Sequence, residues 1–508
     1  MAVPKTTPLY QPVDIAVKGV CSLANPFFAE LRGVFEGPAG RIVIPGFYTG
    51  DNTWTVRFSP TALGDWTYSL SSPHIALAET AGAVRCVANS NSNVHGGLLV
   101  DALNPHHFRY QDGTPYFMFA YEADWLWALG FGDPKVQKVR ELLAQIKQYG
   151  FNQIIMQAYA HNAEWCKHKD GSKDNDYGPP ALYAWEGTND RPDHERMNLA
   201  YFANLDRAMQ AMLDDGFSVH VFLKVYNKFV NWPAPYSPAD DLYFTYITAR
   251  YQAFPNVIWD YSKETYYELD KDYVASRVQL VKANDGYRRL TTVHDDRLFC
   301  GDPQNASLLD FATLQQHNEF YASALLERAA RRWPILNSEF GYESGPGGLD
   351  DYFAWSNNTV EDFIDRAYQI AMAGAYIGYY YNYTAWNIID YSRVPPGYQL
   401  FKILHDVFTS IKWWEFVPRR DLVRNDRTLC MARAGEEYLL YTRAGGSADL
   451  PDSVLPGEFS AVWTNAYTGM QTPAVGERTS LSHFSQERWV FASPFADAPG
   501  ILHILCRP

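Results

Sequence analysis

Between residues 96 and 415 the chain repeats one local pattern, a short apolar run followed by a segment of helical periodicity. Eight such runs fall at 116–121, 151–157, 217–223, 256–261, 289–294, 310–316, 333–338 and 375–381. Runs of this length suit strands buried on both faces, and the segments between them suit the crossovers of a parallel sheet. Eight repeats over the 96–415 span predict an α/β fold, a (β/α)8 TIM barrel with insertions.

Local signals agree. Val136, Val139, Leu142, Leu143 and Ile146 form one helical face, and Gly150 ends it. Ser237-Pro238 opens a later helix with a cap and a first-turn proline. Asn358 with Glu361 resembles a capping box. The fifth unit is thin, with 15 residues between runs five and six. Residues 1–95 read as an N-terminal β-sandwich, since 46–58 and 64–70 alternate apolar and polar between turns. Residues 416–508 turn to β again, with paired strands at 428–433 and 437–442.

Composition narrows the partners. The net charge of −14 gives no basic stripe for a phosphate backbone, so no nucleic acid partner is expected. No apolar stretch approaches a bilayer span, so no membrane partner is expected either. Six scattered cysteines without a CxxC read as free thiols, and the N-terminus carries no apolar signal segment. Both features predict either a cytoplasmic location or a chain whose leader has been removed. Aromatic residues make up 16% of it, which suits a large β-rich core and a sugar-binding cleft equally. Self-association into a homo-oligomer stays open.

Barrel chemistry gathers at the C-terminal ends of the strands. Two runs lead into glutamates there, 75 residues apart: Glu264 after run four and Glu339 after run seven. Opposed strand ends converge over the barrel mouth. Two carboxyl groups so placed are the minimum equipment for cleaving a glycosidic bond, one as acid and one on the far face of the sugar. Other strand ends offer a polar and aromatic rim: Tyr121, Glu122, Asp124, Trp125 and Trp127 after run one, and Tyr159 and His161 after run two. Lys224, Tyr226 and Asn227 follow run three, and His294, Asp295 and Asp296 follow run five. His317 and Asn318 follow run six, Tyr342 follows Glu339, and Trp386 and Asn387 follow run eight. Of these, Glu122, Trp125, Tyr159, His161, Lys224, His294, His317, Tyr342 and Trp386 are the expected substrate-contacting set. Glu343 competes with Glu339 for the nucleophile's place. The long insertion 160–198, with Trp165 and Trp185, is expected to cover the cleft. No phosphate loop, dinucleotide fingerprint, serine elbow or HExxH is present, so neither cofactor nor metal is expected.

Asn256-Val257-Ile258-Trp259, followed by Glu264, resembles the acid/base motif of the large retaining clan of barrel glycosidases. Asn337-Ser338-Glu339-Phe340 resembles that clan's strand-seven nucleophile motif. Nearer likeness is to bacterial apiosidase-like barrel glycosidases that carry a β-sandwich before the barrel. Asn25-Pro26-Phe27, Ile44-Pro45-Gly46-Phe47-Tyr48 and Gly64-Asp65-Trp66-Thr67-Tyr68 resemble that sandwich. The resemblance implies retaining hydrolysis with Glu264 as acid/base, Glu339 as nucleophile and Trp386 as stacking platform; His317, by its place after run six, is expected to hydrogen-bond the nucleophile. One departure stands out: the clan often has asparagine before the acid/base, and this chain has Lys263. An ammonium there would depress the acid's pKa unless it points away.

The sequence thus predicts a glycoside hydrolase acting on a plant, algal or microbial oligo- or polysaccharide. A carbohydrate-binding protein on an inactive barrel and a transglycosylase remain the alternatives.

Overall fold

All eight runs become the strands of one parallel barrel. They are β1 (Phe119–Glu122), β2 (Gln153–Gln157), β3 (Ser218–Val225), β4 (Val257–Lys263), β5, β6 (Ala312–Leu314), β7 (Ile335–Asn337) and β8 (Tyr376–Tyr379). Neighbours in sequence pair in parallel, and β8 pairs with both β7 and β1. β5 comes in two pieces, Thr291–Thr292 against β4 and His294–Asp295 against β6. The ring therefore closes through a break at Val293. The structure is a computed structural model and describes residues 4–163, 172–344, 357–455, 457–480 and 487–507.

Seven helices of eleven residues or more surround the described barrel: α1 (Gln137–Lys147), α2 (Leu199–Asp214), α3 (Pro238–Tyr251), α4 (Lys271–Asn284), α5 (Phe320–Ala330), α6 (Val360–Met372) and α7 (Gly397–Thr409). The thin fifth unit holds only the short turn Pro303–Ala306. α1 buries Val139, Leu142, Leu143 and Ile146, while Val136 sits at its cap in a left-handed conformation. Gly150, at φ +95°, takes the chain out of the helix. Ser237 Oγ accepts from the Asp240 amide and Pro238 opens α3, as the sequence predicts. The capping box does not form at Asn358. Thr359 caps α6 by accepting from the Asp362 amide, and Asn358 Nδ2 donates to the Tyr342 carbonyl. Both residues are good caps, and the strand pairing of Tyr342–Glu343 with Asn357–Asn358 holds Asn358 outside the helix.

Alternate residues of β3 point into the barrel. His220 and Phe222 meet Asp260 and His294 there, with His220 Nε2 2.8 Å from Asp260 Oδ2. A small antiparallel sheet (Leu98–Val100, Phe108–Tyr110, Pro115–Tyr116) closes the N-terminal end, where the Phe108 ring meets Phe311 and Tyr376. Chemistry is left to the other end.

Before the barrel, sheets of five and four strands pack as a sandwich around Phe35, Trp54, Phe58 and Trp66. After it, sheets of six and three strands enclose Cys430, Leu440, Trp463 and Phe491. The sandwich is tied to the barrel by Arg57, whose guanidinium bonds Asp14 of its own domain and Asp206 of α2. Arg250 of α3 grips the same Asp206 through two bonds. Among the described residues no helix is long and apolar enough to cross a membrane.

Candidate active site

β4 ends in Lys263, and Glu264 follows in a left-handed conformation, φ 59° and ψ 46°. A non-glycine residue held there costs roughly 1–3 kcal/mol, strain typical of functional positions. It turns the Glu264 carboxyl onto Asn227, whose Nδ2 donates to Oε2 at 2.7 Å. The Glu264 amide donates to His294 Nδ1 at 3.1 Å. That bond fixes the imidazole proton on Nε2, which faces Glu339 Oε2 at 3.8 Å. Burial, and then Lys263, hold His294 far below the usual histidine range, so the ring is neutral. The His294 amide in turn donates to Asp260 in the barrel layer beneath. One histidine therefore touches both candidate carboxyl residues.

Glu339 stands two residues past β7 and is buried. Tyr342 donates its hydroxyl to Oε1. Lys263 Nζ lies 3.4 Å from Oε2. The Lys263 side chain does not turn back to Glu264 beside it. It crosses the mouth to Glu122 and to Asp124 (3.1 Å) of the β1 end, and also meets the Tyr380 hydroxyl at 3.2 Å. Burial opposes its charge, but Asp124, Glu122 and Glu339 hold the ammonium well above the usual lysine range. Asp124 also accepts from Gln157 Nε2 at 2.7 Å, from the Trp386 amide at 2.9 Å and from Tyr380.

Identical side chains acquire opposite character in this setting. Burial pushes the Glu264 carboxyl up, and the opposing pull of Lys228 and Lys263 does not cancel it. Burial pushes Glu339 the same way, but Lys263, His317 and the Tyr342 hydroxyl outweigh it and hold the carboxylate below its usual range. The lysine beside the acid thus acts chiefly on the opposite glutamate.

The other sequence candidates divide. Glu122, His294, His317 and Tyr342 share the charged cluster around Glu339. Trp386 joins it through its amide and a ring 5.7 Å from that of Tyr342. Trp125 stacks on Trp127 at 5.5 Å, both buried. Lys224 goes elsewhere: it is buried against α4, 3.3 Å from the Tyr273 hydroxyl and over the Tyr273 and Trp232 rings. Its ammonium is held at Tyr273 of α4 and is not part of the charged cluster around Glu339. Tyr159 packs among Trp127, Trp185, Tyr201 and Trp232 as core. His161 is partly exposed beside Tyr183. Trp185 is 2% exposed in the same aromatic cluster, with Trp232 at 5.6 Å and Tyr243 at 5.1 Å, so it anchors the insertion rather than facing a sugar. Trp165 lies outside the described residues. Glu343 accepts from the Tyr379 hydroxyl at 2.5 Å and from the Gly397 amide at the first residue of α7 at 3.0 Å, which ties it to that helix end. Asp295 accepts the Phe299 and Cys300 amides of a turn. Lys228, Gln157 and Tyr380 were not singled out by sequence, since each becomes legible only once the strand ends are assembled.

A parallel barrel with acids converging at its C-terminal mouth and β-domains at both ends is the architecture of a glycoside hydrolase. The family model described as "Apiosidase-like, catalytic domain" matches residues 103–415, and the chain belongs to that family. Residues 6–73 match a second model, described as a domain of unknown function (DUF5060). A search of curated proteins finds no match by sequence. Among solved structures, a protein from Bacteroides vulgatus ATCC 8482, provisionally described as a glycoside hydrolase, aligns over 99% of both chains. Its TM-score is 0.79 at 20% identity. A glycoside hydrolase family 5 protein from the same organism aligns over 81% of this chain and 93% of its own, with TM-score 0.60 and 16% identity. At such identities the likeness speaks to fold.

Proposed function

We propose that the chain is a retaining glycoside hydrolase acting on a plant, algal or microbial oligo- or polysaccharide by double displacement. One observation carries the reading: Glu264 and Glu339 converge on His294 at the barrel mouth, in settings that push the Glu264 carboxyl up by burial and hold that of Glu339 down through Lys263, His317 and Tyr342. Two carboxyls pulled apart in this way divide the work of acid and nucleophile. Glu264 protonates the glycosidic oxygen as Glu339 attacks the anomeric carbon from the other face. The covalent glycosyl-enzyme is then hydrolysed by water that gives its proton to Glu264. A retaining pair needs carboxyl groups about 5–5.5 Å apart.

Azide separates the two roles. Glu339→Ala abolishes turnover of ordinary substrates, and azide restores it with an inverted glycosyl azide. Glu264→Ala still reacts with substrates whose leaving groups need no proton, and azide then gives a glycosyl azide of retained configuration. Full activity of Glu264→Ala on an unactivated glycoside would remove Glu264 from the mechanism.

A further inference from the structure

The mechanism above uses Glu264 and Glu339 and leaves a third glutamate at the mouth without a task. Glu122 is the last residue of β1. Tyr121 before it points outward to the Tyr398 and Thr384 hydroxyls, so strand alternation turns Glu122 inward. Its Oε1 accepts from Lys263, whereas its Oε2 is buried and has no hydrogen-bond partner. Three residues on, the indole N–H of Trp125 is likewise buried and unpartnered. Native proteins rarely bury such groups unless something else satisfies them.

Charge counting defines the state of Glu122. Lys263 alone is ion-paired with three carboxyl groups, those of Glu122, Asp124 and Glu339. Lys228 and His317 also favour an ionised Glu339, but three buried carboxylates around the one ammonium they all contact cost more than two carboxylates and a retained proton. Glu339 also has the Tyr342 hydroxyl, and Asp124 has Gln157, Tyr380 and the Trp386 amide. Glu122 has Lys263 only. The groups facing it are Lys263 from β4, Asp124 from its own turn, Glu339 and Tyr342 after β7 and Tyr380 after β8. Burial pushes the Glu122 carboxyl well up, Asp124 and Glu339 add to the push, and Lys263 opposes without cancelling it, so the cluster favours its protonated form.

We propose that Glu122 is a third functional carboxyl of this site, a neutral acid whose Oε2 donates a hydrogen bond to an uncharged hydroxyl of the bound sugar. Trp125 supplies a second donor from the same strand end. The ligand class is a neutral glycone hydroxyl, since a sugar carboxylate would add a further negative charge beside Asp124 and Glu339. This assignment rests on the glycosidase reading.

Infrared spectroscopy tests it on the wild-type protein. At neutral pH the difference spectrum of wild type minus Glu122→Gln contains the carbonyl band of a protonated carboxylic acid. That band moves to lower frequency when a neutral monosaccharide from a panel (glucose, galactose, xylose, arabinose) is added. Glucuronate and galacturonate leave it unmoved. Binding measured by saturation-transfer NMR falls about tenfold or more in Glu122→Leu, the loss of one buried hydrogen bond, and stays near wild type in Glu122→Gln, which keeps a donor. Absence of the acid band overturns the protonation state. A band that no sugar moves, or uronate binding that Lys263→Met or Lys228→Met abolishes, overturns the donor role. The azide experiment is indifferent to Glu122, so failure there separates the glycosidase reading from this one.

Discussion

Replacing Lys263 with methionine removes one charge and nearly preserves the side chain's length. Its ammonium lies 3.4 Å from Glu339 Oε2. At an effective dielectric near ~20, a pair at that distance attracts by about 5 kcal/mol. Glu122 and Asp124 share the same ammonium, so Glu339 feels only a part. A rise of about two pKa units, ~3 kcal/mol, is the expected consequence. The nucleophile works ionised, so activity exists above its pKa and is lost below it. Raising that pKa moves the acid limb of kcat/KM by about two units toward neutral pH. The assay is the pH profile of kcat/KM on an aryl glycoside for wild type, Lys263→Met and Lys263→Arg. Arginine keeps the charge and should keep the limb low. An unmoved acid limb in folded Lys263→Met would refute the electrostatic role. Stability gives a second reading. Carboxyls buried without their ammonium should cost about 3–5 kcal/mol at neutral pH. That cost shrinks on acidification, because groups whose folded pKa is raised gain protons in the folded state first. Melting curves at acidic and neutral pH follow this directly.

Asn227→Ala removes the amide that donates to Glu264 Oε2, so the alkaline limb of the pH profile should move up by roughly one unit as the acid holds its proton longer. Glu343, pushed up by burial to about 7, stays protonated when folded while the unfolded chain ionises. Its contribution is fully present below pH ~4.5 and is lost as pH rises toward about 7, so Glu343→Gln should gain up to ~3 kcal/mol at neutral pH in denaturant titrations. Trp185→Ala should lower stability by about 3–5 kcal/mol, as an aromatic core truncation does, and leave sugar affinity nearly unchanged in a folded sample. Arg57→Ala strips a cation from Asp206, which burial pushes up but Arg250 and Arg57 hold down at about 2. A loss of about 3–5 kcal/mol is expected at neutral pH, and it should fade as pH falls through ~4 toward ~2, where Asp206 protonates in both states.

The barrel was legible because a parallel strand covered on both faces tends to be an apolar run, and the cores of β1 to β4 and β6 to β8 are; β5, built of Thr291–Thr292 and His294–Asp295, was placed by its position in the repeat. Glu264 and Glu339 stood out because they directly follow such runs. Long-range electrostatics was not legible. Lys263 looked like a neighbour that would depress Glu264, yet its partners Glu122 and Asp124 lie about 140 residues upstream and become adjacent only when β1 meets the mouth. Lys224 and Lys228 are four residues apart and equally polar. What separates them is that Lys224 leaves the strand toward α4, while Lys228 sits in the loop beyond, in the field of Glu264. Asn358 and Thr359 have near-equal capping propensity, and a two-residue bridge with Tyr342–Glu343 decides between them.

The break in β5 carries its own consequence. Two-residue pieces either side of Val293 make this the most weakly laddered segment of the ring. Elements with few backbone bonds open at free energies well below that of global unfolding. His294, the first residue past the break, is also the one that touches Glu264 and Glu339 together. Heat should therefore silence this enzyme before it melts it. Deuterium entering the 291–295 segment should track the loss of turnover, while the amides of β3 and β4 are still protected.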